Sequence, residues 1–519
     1  MAYALPAEAK QSALRGRMSG TEPAKVSCRP DGEDCFVLLG VTILGATAIS
    51  PDALSGTYED QLATPVAMSD IVAIADRITQ KYRDEGYFLS QAVVTPDSFD
   101  SGLAVVTVIE GRISHVSLSG KHSELARPII ANIEKAEIAF LPEIDRLLSR
   151  IRDIPGLSVT SRIRPDPEDP SLHELVLETS FDETRGFAVL NNRGSDQVGP
   201  LQTYVGYAWN SLLASRDELQ LGLFTTPQDP ADFIQANVSY RYQFQGGDSL
   251  QVGAGSSLSQ DGYNPQTPEV GGESFALWMK YEKPIIRTRT RSLWINAGVD
   301  SQHLENDWVS GGGYQDELRV ARVALRGMQS DSNSKTYIFV EVSSGLNILG
   351  ASQEKAFNRS RFDADAEFTK VFVSASYYHN IGQYLGAYME MSGQLADDAL
   401  LLSEEYAAGG PRLGRAYRFG EISGDNGLGG LFELRAGFSP DSEIITFAQG
   451  YAFYDAASVW NDAPVSVMRQ DLSSAGLGLR FNLMDKYSAA LEMAKPLSRT
   501  PYDAADKDWR QFFELSLAF

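Results

Sequence analysis

From residue 187 to its end the chain alternates apolar and polar positions in about sixteen segments: 187–193, 202–210, 218–226, 233–244, 249–260, 273–283, 291–305, 314–328, 335–346, 361–376, 383–396, 428–437, 445–459, 472–483, 487–495 and 510–519. A period of two marks a strand with two different faces. In Ser239–Phe244, Tyr240, Tyr242 and Phe244 share one face, and Ser239, Arg241 and Gln243 the other. In Arg361–Phe368, Asp363, Asp365 and Glu367 oppose Phe362, Ala364, Ala366 and Phe368; near residue 340, Ile338, Val340 and Val342 oppose Tyr337, Phe339 and Glu341. Many segments pass the usual length of a soluble strand and reach the roughly 9–11 residues a tilted strand needs to cross lipid. A soluble sandwich alternates too. What favours a barrel is that charges recur on the polar face of strand after strand, which a hydrated lumen accepts and a packed core does not. The last segment places Phe513, Leu515, Leu517 and Phe519 on one face. The expectation is a sixteen-stranded antiparallel transmembrane β-barrel over residues 183–519, closed so that no strand edge faces lipid unpaired.

Upstream the period changes. Ser69–Glu85 carries Ile71, Ile74, Ala75, Ile78 and Tyr82 at helical spacing, with Ser69 as N-cap and Gly86 as terminator. Strand-like runs precede it at Phe36–Gly45 and follow at Tyr87–Val94 and Leu103–Ile109. The order then repeats: strand Ile113–Ser119, helices Leu125–Glu134 and Pro142–Ile151, strands Ser158–Ile163 and Glu174–Ser180. This predicts two tandem small α/β domains, 36–112 and 113–182. Residues 1–18 read as a helix bearing Lys10, Arg15 and Arg17, and 19–35 as an irregular linker.

Composition narrows the function. Lys and Arg number 45 against 68 Asp and Glu, a formal net charge of −23, which argues against nucleic acid as a partner. No apolar run reaches the roughly 18 residues of a helical membrane span. His115, His122, His173, His303 and His379 are scattered. With no nucleotide motif, metal-ligand cluster or nucleophile–base spacing, the sequence indicates no enzyme chemistry, cofactor or metal. The two cysteines, Cys28 and Cys35 in CRPDGEDC, can close a small disulfide loop in an oxidising compartment; two free thiols are the other reading. The start, MAYALPAEAK, lacks a basic segment followed by an apolar one. Either the protein is cytoplasmic or a signal peptide has been removed, and removal is the expectation.

Two β-α-α-β-β modules before such a barrel resemble the polypeptide-transport-associated (POTRA) domains and barrel of two-partner secretion transporters of the haemolysin and filamentous haemagglutinin type, within the barrel-assembly protein superfamily. The resemblance is sharpest in GGPRLGRAYRFGEISGDNG, Gly409–Gly427, which is similar to that family's lid-loop signature. Gly409, Gly410, Gly420, Glu421, Gly424, Asp425 and Gly427 match it directly, Arg415 takes the place of its invariant arginine, and Tyr417 that of the following aromatic. Gly414 departs where valine is usual and Ala416 where glycine is usual. Phe453, Tyr454 and Asp455 resemble the family's second motif, on the thirteenth strand, with Ala457 in place of its glycine. The resemblance implies a lid at about 397–427 folded into the barrel, with Arg415 paired to Asp455. YEKPIIR (281–287) and MAKPLSR (493–499) resemble strand-to-turn motifs that the family places on the periplasmic side.

The function so implied is recognition of a large unfolded exoprotein, through its N-terminal secretion domain, by POTRA domains in the periplasm, and its passage through the Gram-negative outer membrane. The candidate docking stripe is Ile71, Ile74, Ile78 and Tyr82. Residues 1–18 would plug the pore. The other partners implied are outer-membrane lipids and the barrel-assembly machinery, met through the last strand, with the transporter itself a monomer. A barrel-assembly-like insertase or translocase and a passive porin are the alternatives; a porin needs neither soluble modules nor a lid.

Overall fold

The computed structural model describes residues 26–27, 34–95, 99–100, 102–131, 133–194, 199–230, 232–260, 269–308, 312–353, 356–461 and 469–519. The plug helix expected over 1–18 and Cys28 lie outside them. The chain forms two compact units: one holds residues up to Leu118 with 130–144 and 161–177, the other holds 119–129 and 145–160 with everything from 178 onward.

In the first unit, helix α1 (Met68–Asp84) packs with a sheet ordered Gly40–Leu44, Leu103–Ile109, Gln91–Val93. The middle strand runs parallel to the first and antiparallel to the third. Alternation turns Ala104, Val106 and Val108 into one apolar cluster with the helix stripe and Leu38 and Leu54. Ile71, Ile74, Ile78 and Tyr82 are each 0% exposed. The stripe read as a docking surface is therefore core: burying each such side chain contributes about 1.5–3 kcal/mol, which exposure to a partner would forfeit. The helix begins one residue before its expected cap, where the Asp70 carboxylate accepts the Ala67 N–H at 2.8 Å. Gly86, at φ +98°, ends it. Of the strand expected over 87–94 only Gln91–Val93 forms. The expected linker contains a strand pair, since Val26 and Ser27 register with Cys35 and Asp34.

The second module has a sheet ordered Arg112–Gly120, Leu172–Phe181, Leu157–Pro165, and helix α2 (Leu141–Arg152). The helix expected over 125–134 shrinks to a turn at Ser123–Leu125 and another at Arg127–Ile130; Pro128 has no N–H with which to extend a ladder toward the N-terminus.

The barrel is closed and antiparallel, with sixteen strands. They are β1 (Thr184–Asn191), β2 (Gln202–Asn210), β3 (Asp217–Thr225), β4 (Phe233–Gln243), β5 (Ser249–Gln260), β6 (Glu269–Arg287), β7 (Arg291–Trp308), β8 (Gly313–Ser330), β9 (Ser334–Gly345), β10 (Thr369–Asn380), β11 (Leu385–Ala396), β12 (Asn426–Phe438), β13 (Ile445–Trp460), β14 (Arg469–Leu483), β15 (Tyr487–Pro496) and β16 (Arg510–Ala518). Pairs from Phe187↔Ala518 to Asn191↔Glu514 close the ring. The alternation sorts the faces as a membrane requires: along β12, Leu428, Phe432, Leu434 and Phe438 are exposed while Leu431 and Glu433 are buried. No described helix is long and apolar enough to cross a membrane.

Two expectations within the barrel are corrected. The segment 361–368 is not strand, and β10 starts at Thr369. Its Ala364, Ala366 and Phe368 pack in a cluster with Leu318, Val320, Leu400 and Leu401, so its alternation comes from a loop wedged between two surfaces, not from a ladder. The two Lys-Pro motifs are not equivalent turns. Pro284 lies inside β6, where a register shift between Pro284 and Ile286 accommodates its missing donor, whereas Pro496 ends β15. Because consecutive strands reverse direction, the two motifs sit at opposite ends of the barrel.

At the end where β1 enters, Arg287 donates to both carboxylate oxygens of Asp153, at 2.8 and 2.5 Å. Arg216 reaches the Leu125 carbonyl (2.9 Å) and Arg150 the Gln245 carbonyl (2.5 Å). These arginines bind 119–129 and 145–160 to the barrel turns, which is why those segments cluster with it.

Candidate functional site: a lid anchored to the inner wall

Odd-numbered strands run away from the entry end, so the β11–β12 connection, residues 397–425, hangs from the far end. It does not project outward. Tyr406–Ala408 and Ile422–Gly424 pair as a short hairpin, and Tyr406, Leu413, Ala416, Tyr417 and Ile422 are buried in one cluster with Leu431, Tyr451, Phe453 and Leu472 of the wall. These wall positions alternate with exposed ones such as Phe432 and Tyr454, so the lid occupies the lumen side.

The tip is folded by its own backbone. The Gly409 N–H donates to the Leu413 carbonyl at 2.9 Å and the Gly410 N–H to the Tyr417 carbonyl at 3.1 Å. Gly409, Gly410, Gly414 and Gly420 all have positive φ. Gly414 is the informative one. At φ +74° a Cβ there would be strained and would lie 2.7 Å from Leu472 Cδ1. The residue that departs from the family pattern is thus fitted to this tip, while Ala416 is absent from the positive-φ positions and is unstrained. Gly427 opens β12 under the Tyr406 ring, where a Cβ would fall 2.1 Å from Cδ1.

Arg415 and Asp455 do meet, but not through the guanidinium. Asp455 accepts the Gly414 and Arg415 backbone N–H groups at 3.0 and 3.2 Å and the Ser474 hydroxyl at 2.6 Å. The guanidinium instead contacts Glu433 at 2.5 Å and Glu492 at 3.2 Å and lies 4.7 Å from the Phe453 ring centroid. The expected side-chain pair is corrected: Asp455 holds the chain of the lid and Glu433 and Glu492 hold its charge. The reason is reach, since an acid bonded to the main chain beside Cα is too close for the extended side chain, which runs on to Glu433 on β12 and Glu492 on β15. Glu433 is fully buried and also pairs with Arg435 and with Arg480, at 2.5 and 3.0 Å. Glu492 takes Arg193 at 2.6 Å and the Tyr451 hydroxyl at 2.8 Å. Removing one member of such a buried network strands its partners' charge, at a cost of about 3–5 kcal/mol.

The other motif residues divide. The Tyr417 hydroxyl lies 3.1 Å from the Ser473 carbonyl and 3.2 Å from that of Arg499. Glu421 accepts the Tyr502 N–H at 3.1 Å, and Asp425 accepts the Leu400 N–H at 2.8 Å and an Arg361 contact at 2.5 Å. Phe453 is buried under the lid, whereas Tyr454 is exposed on the outer face and takes no part. Sequence reasoning missed Glu433, Glu492, Ser474 and Arg361. Glu433 carried a signal: it is the one acid in LGGLFELRAGF, flanked by apolar residues that turn outward. Among the described residues Glu273, His303 and Glu305 could approach a cation, but His303 is taken by Glu317 at 2.7 Å.

Comparison with known proteins agrees with this architecture. Residues 36–111 match the POTRA domain of ShlB type, and residues 177–481 match the haemolysin secretion/activation protein ShlB/FhaC/HecB. The heme/hemopexin transporter protein HuxB of Haemophilus influenzae strain 86-028NP is 22% identical over 487 residues, 91% of this chain and 85% of its own length. The outer membrane transporter CdiB of Dickeya dadantii strain 3937 is 24% identical over 413 residues, 76% of this chain and 71% of its own. Among solved structures, CdiB from Escherichia coli superposes with a TM-score of 0.73 at 17% identity, covering 98% of this chain and 93% of that one.

Proposed function

The chain belongs to the haemolysin secretion/activation protein family of ShlB, FhaC and HecB, and from that premise we propose that its lid is the gate of an outer-membrane exoprotein transporter. The protein is a two-partner secretion transporter of the outer membrane, with its POTRA region on the periplasmic side. The finer reading concerns how it works. A large exoprotein arrives unfolded, its N-terminal secretion domain docks on the modules, and the chain passes through the lumen as the lid leaves its anchors. Transport, not enzyme chemistry, is the activity we assign, with no cofactor or metal. The transporter acts as a monomer among outer-membrane lipids, and the outward row Phe513, Leu515, Leu517 and Phe519 is what the barrel-assembly machinery reads.

With the Ile71–Tyr82 stripe in the core, docking moves to the sheet edge. The Ala92 N–H at one rim is taken by Thr79 Oγ1 at 2.9 Å. The opposite edge, Gly40–Leu44, pairs only with Leu103–Ile109 among the described residues and is flanked by the exposed Leu39 and Leu44. An extended exoprotein segment adds there as a further strand. Cys28 and Cys35 close the loop ahead of this strand, and residues 1–18 plug the pore at rest; both are carried by the sequence alone.

The observation that carries the reading is the buried Arg415, tied through its main chain to Asp455 and through its charge to Glu433 and Glu492. The test is secretion of the partner exoprotein, normalised to the transporter level in the outer membrane. R415A should lose most secretion while its barrel stays heat-modifiable, because the lid no longer returns to a defined seat. Undiminished secretion from R415A would overturn the reading.

A further inference from the structure

Resting on that reading of the lid as gate, we propose that Arg361, on the neighbouring far-end loop, is a second latch that holds the base of the lid shut. The β9–β10 loop and the lid are built against each other. Asp365 and Leu400 form a parallel β-bridge, and Ser360 Oγ accepts the Leu402 N–H at 3.2 Å. Ala364, Ala366 and Phe368 of the loop share a buried cluster with Leu400 and Leu401 of the lid and with Leu318 and Val320 of β8.

At the centre is the Arg361 guanidinium, its side chain 11% exposed, at 2.5 Å from Asp425, 2.7 Å from Glu405 and 2.9 Å from Asp363. It also donates to the Leu400 carbonyl at 3.0 Å. Two of these carboxylates belong to the lid and one to the loop, so a single cation neutralises part of a three-acid site that spans both. Without it the three carboxylates repel one another in a space with little water, and the two loops are pushed apart. Lysine cannot substitute fully, because one ammonium lacks the planar fork that serves several oxygens at once. The loop is itself braced: Arg359 donates to the Ala356 and Phe362 carbonyls, both at 2.9 Å, and Asp316 on β8 accepts the Ser360 N–H at 2.9 Å. Opening the lid therefore requires release at its base as well as at its tip: Arg361 has to let go as Arg415 does, beside the lid's Glu404, which pairs with Arg322 at 2.6 Å and Lys370 at 2.7 Å on the wall. Arg361 is a positioning residue: it sets where the lid rests.

The test reads lid release without depending on secretion. Ala408, on the lid hairpin and 1% exposed, is replaced by cysteine, and its modification by a membrane-impermeant maleimide is timed on intact cells. Adding R361A should speed labelling about tenfold or more, the scale for losing a charged hydrogen-bond cluster, with R361K intermediate and R415A run alongside. Faster labelling in R415A but not in R361A overturns the latch and leaves the gate standing. Unchanged labelling in both overturns the latch together with the gate. If R361A does not reach the membrane, R361Q decides by the same criterion, since it keeps size and polarity without the charge.

Discussion

At the residue scale, the lid tip is held in two ways, by its main chain at Asp455 and by the Arg415 charge at Glu433 and Glu492. Because the Arg415 guanidinium contacts Glu433 while Asp455 holds the backbone, a double-mutant cycle on secretion should show strong coupling between R415A and E433Q. Coupling between R415A and D455N should be weaker, as Asp455 bonds to atoms that R415A leaves in place. Additive effects for 415 and 433 would sink the assignment. The family resemblance made the tip legible and located Asp455 on the correct strand. It could not assign the guanidinium, because several inward acids lie within reach and only strand register separates them. Gly414 offers a second check: G414V, which restores the residue usual in the family, places a β-branched side chain at φ +74° against Leu472 and should expose the lid to protease. A protected lid in G414V would contradict the strain argument.

Also at this scale, Glu110 in the first module accepts the Thr47 and Ala48 N–H groups at 2.7 and 2.8 Å and the Tyr82 hydroxyl at 2.8 Å. Burial pushes its carboxyl up, but these donors outweigh it and hold the group below the usual carboxylate range. A depressed folded value means the stabilisation is full above the unfolded value of about 4.3 and is lost as pH falls through the folded one. The module's calorimetric transition in the full-length protein should therefore fall on acidification below about pH 4, under the unfolded carboxylate value. E110Q should start lower and change less; an identical acid response in E110Q would remove Glu110 from the account.

At the scale of elements, the barrel strands were legible because lipid on one side and lumen on the other impose a strict alternation. The same signal misled at Arg361–Phe368, where a loop wedged between the wall and the lid alternates for its own reasons, and its consequence, a latch in place of lumen acids, could not be seen before the contacts were known. The helix stripe Ile71–Tyr82 is legible as a stripe but lies in the core, since periodicity reports which residues share a face and not what covers it. The docking edge that remains gives a direct expectation. L44D should weaken binding of the exoprotein's secretion domain while leaving the α1 core, and hence the melting transition of the module, within about 0.5 kcal/mol, as surface substitutions usually do. Wild-type affinity in L44D would move docking elsewhere.

At the scale of the molecule, a closed ring removes every strand edge from lipid, and a loop from its far end folds back onto the inner wall, anchored by buried charges. On the gate reading proposed above, the lid is seated to seal the membrane and unseated to pass a chain, so its anchors need to be strong together and separable in turn. Their distribution fits: the main chain is held at Asp455, the tip charge at Glu433 and Glu492, and the base at Arg361. The most direct test is to make one anchor covalent. Ala416 N lies 3.4 Å from Ser474 Oγ, so A416C with S474C should form a disulfide that pins the lid to β14, with each single cysteine variant as control. The account predicts that the oxidised double variant inserts normally but secretes almost no exoprotein, and that reductant restores secretion. Wild-type secretion from the oxidised protein would show that the chain crosses with the lid in place, and would contradict the central claim.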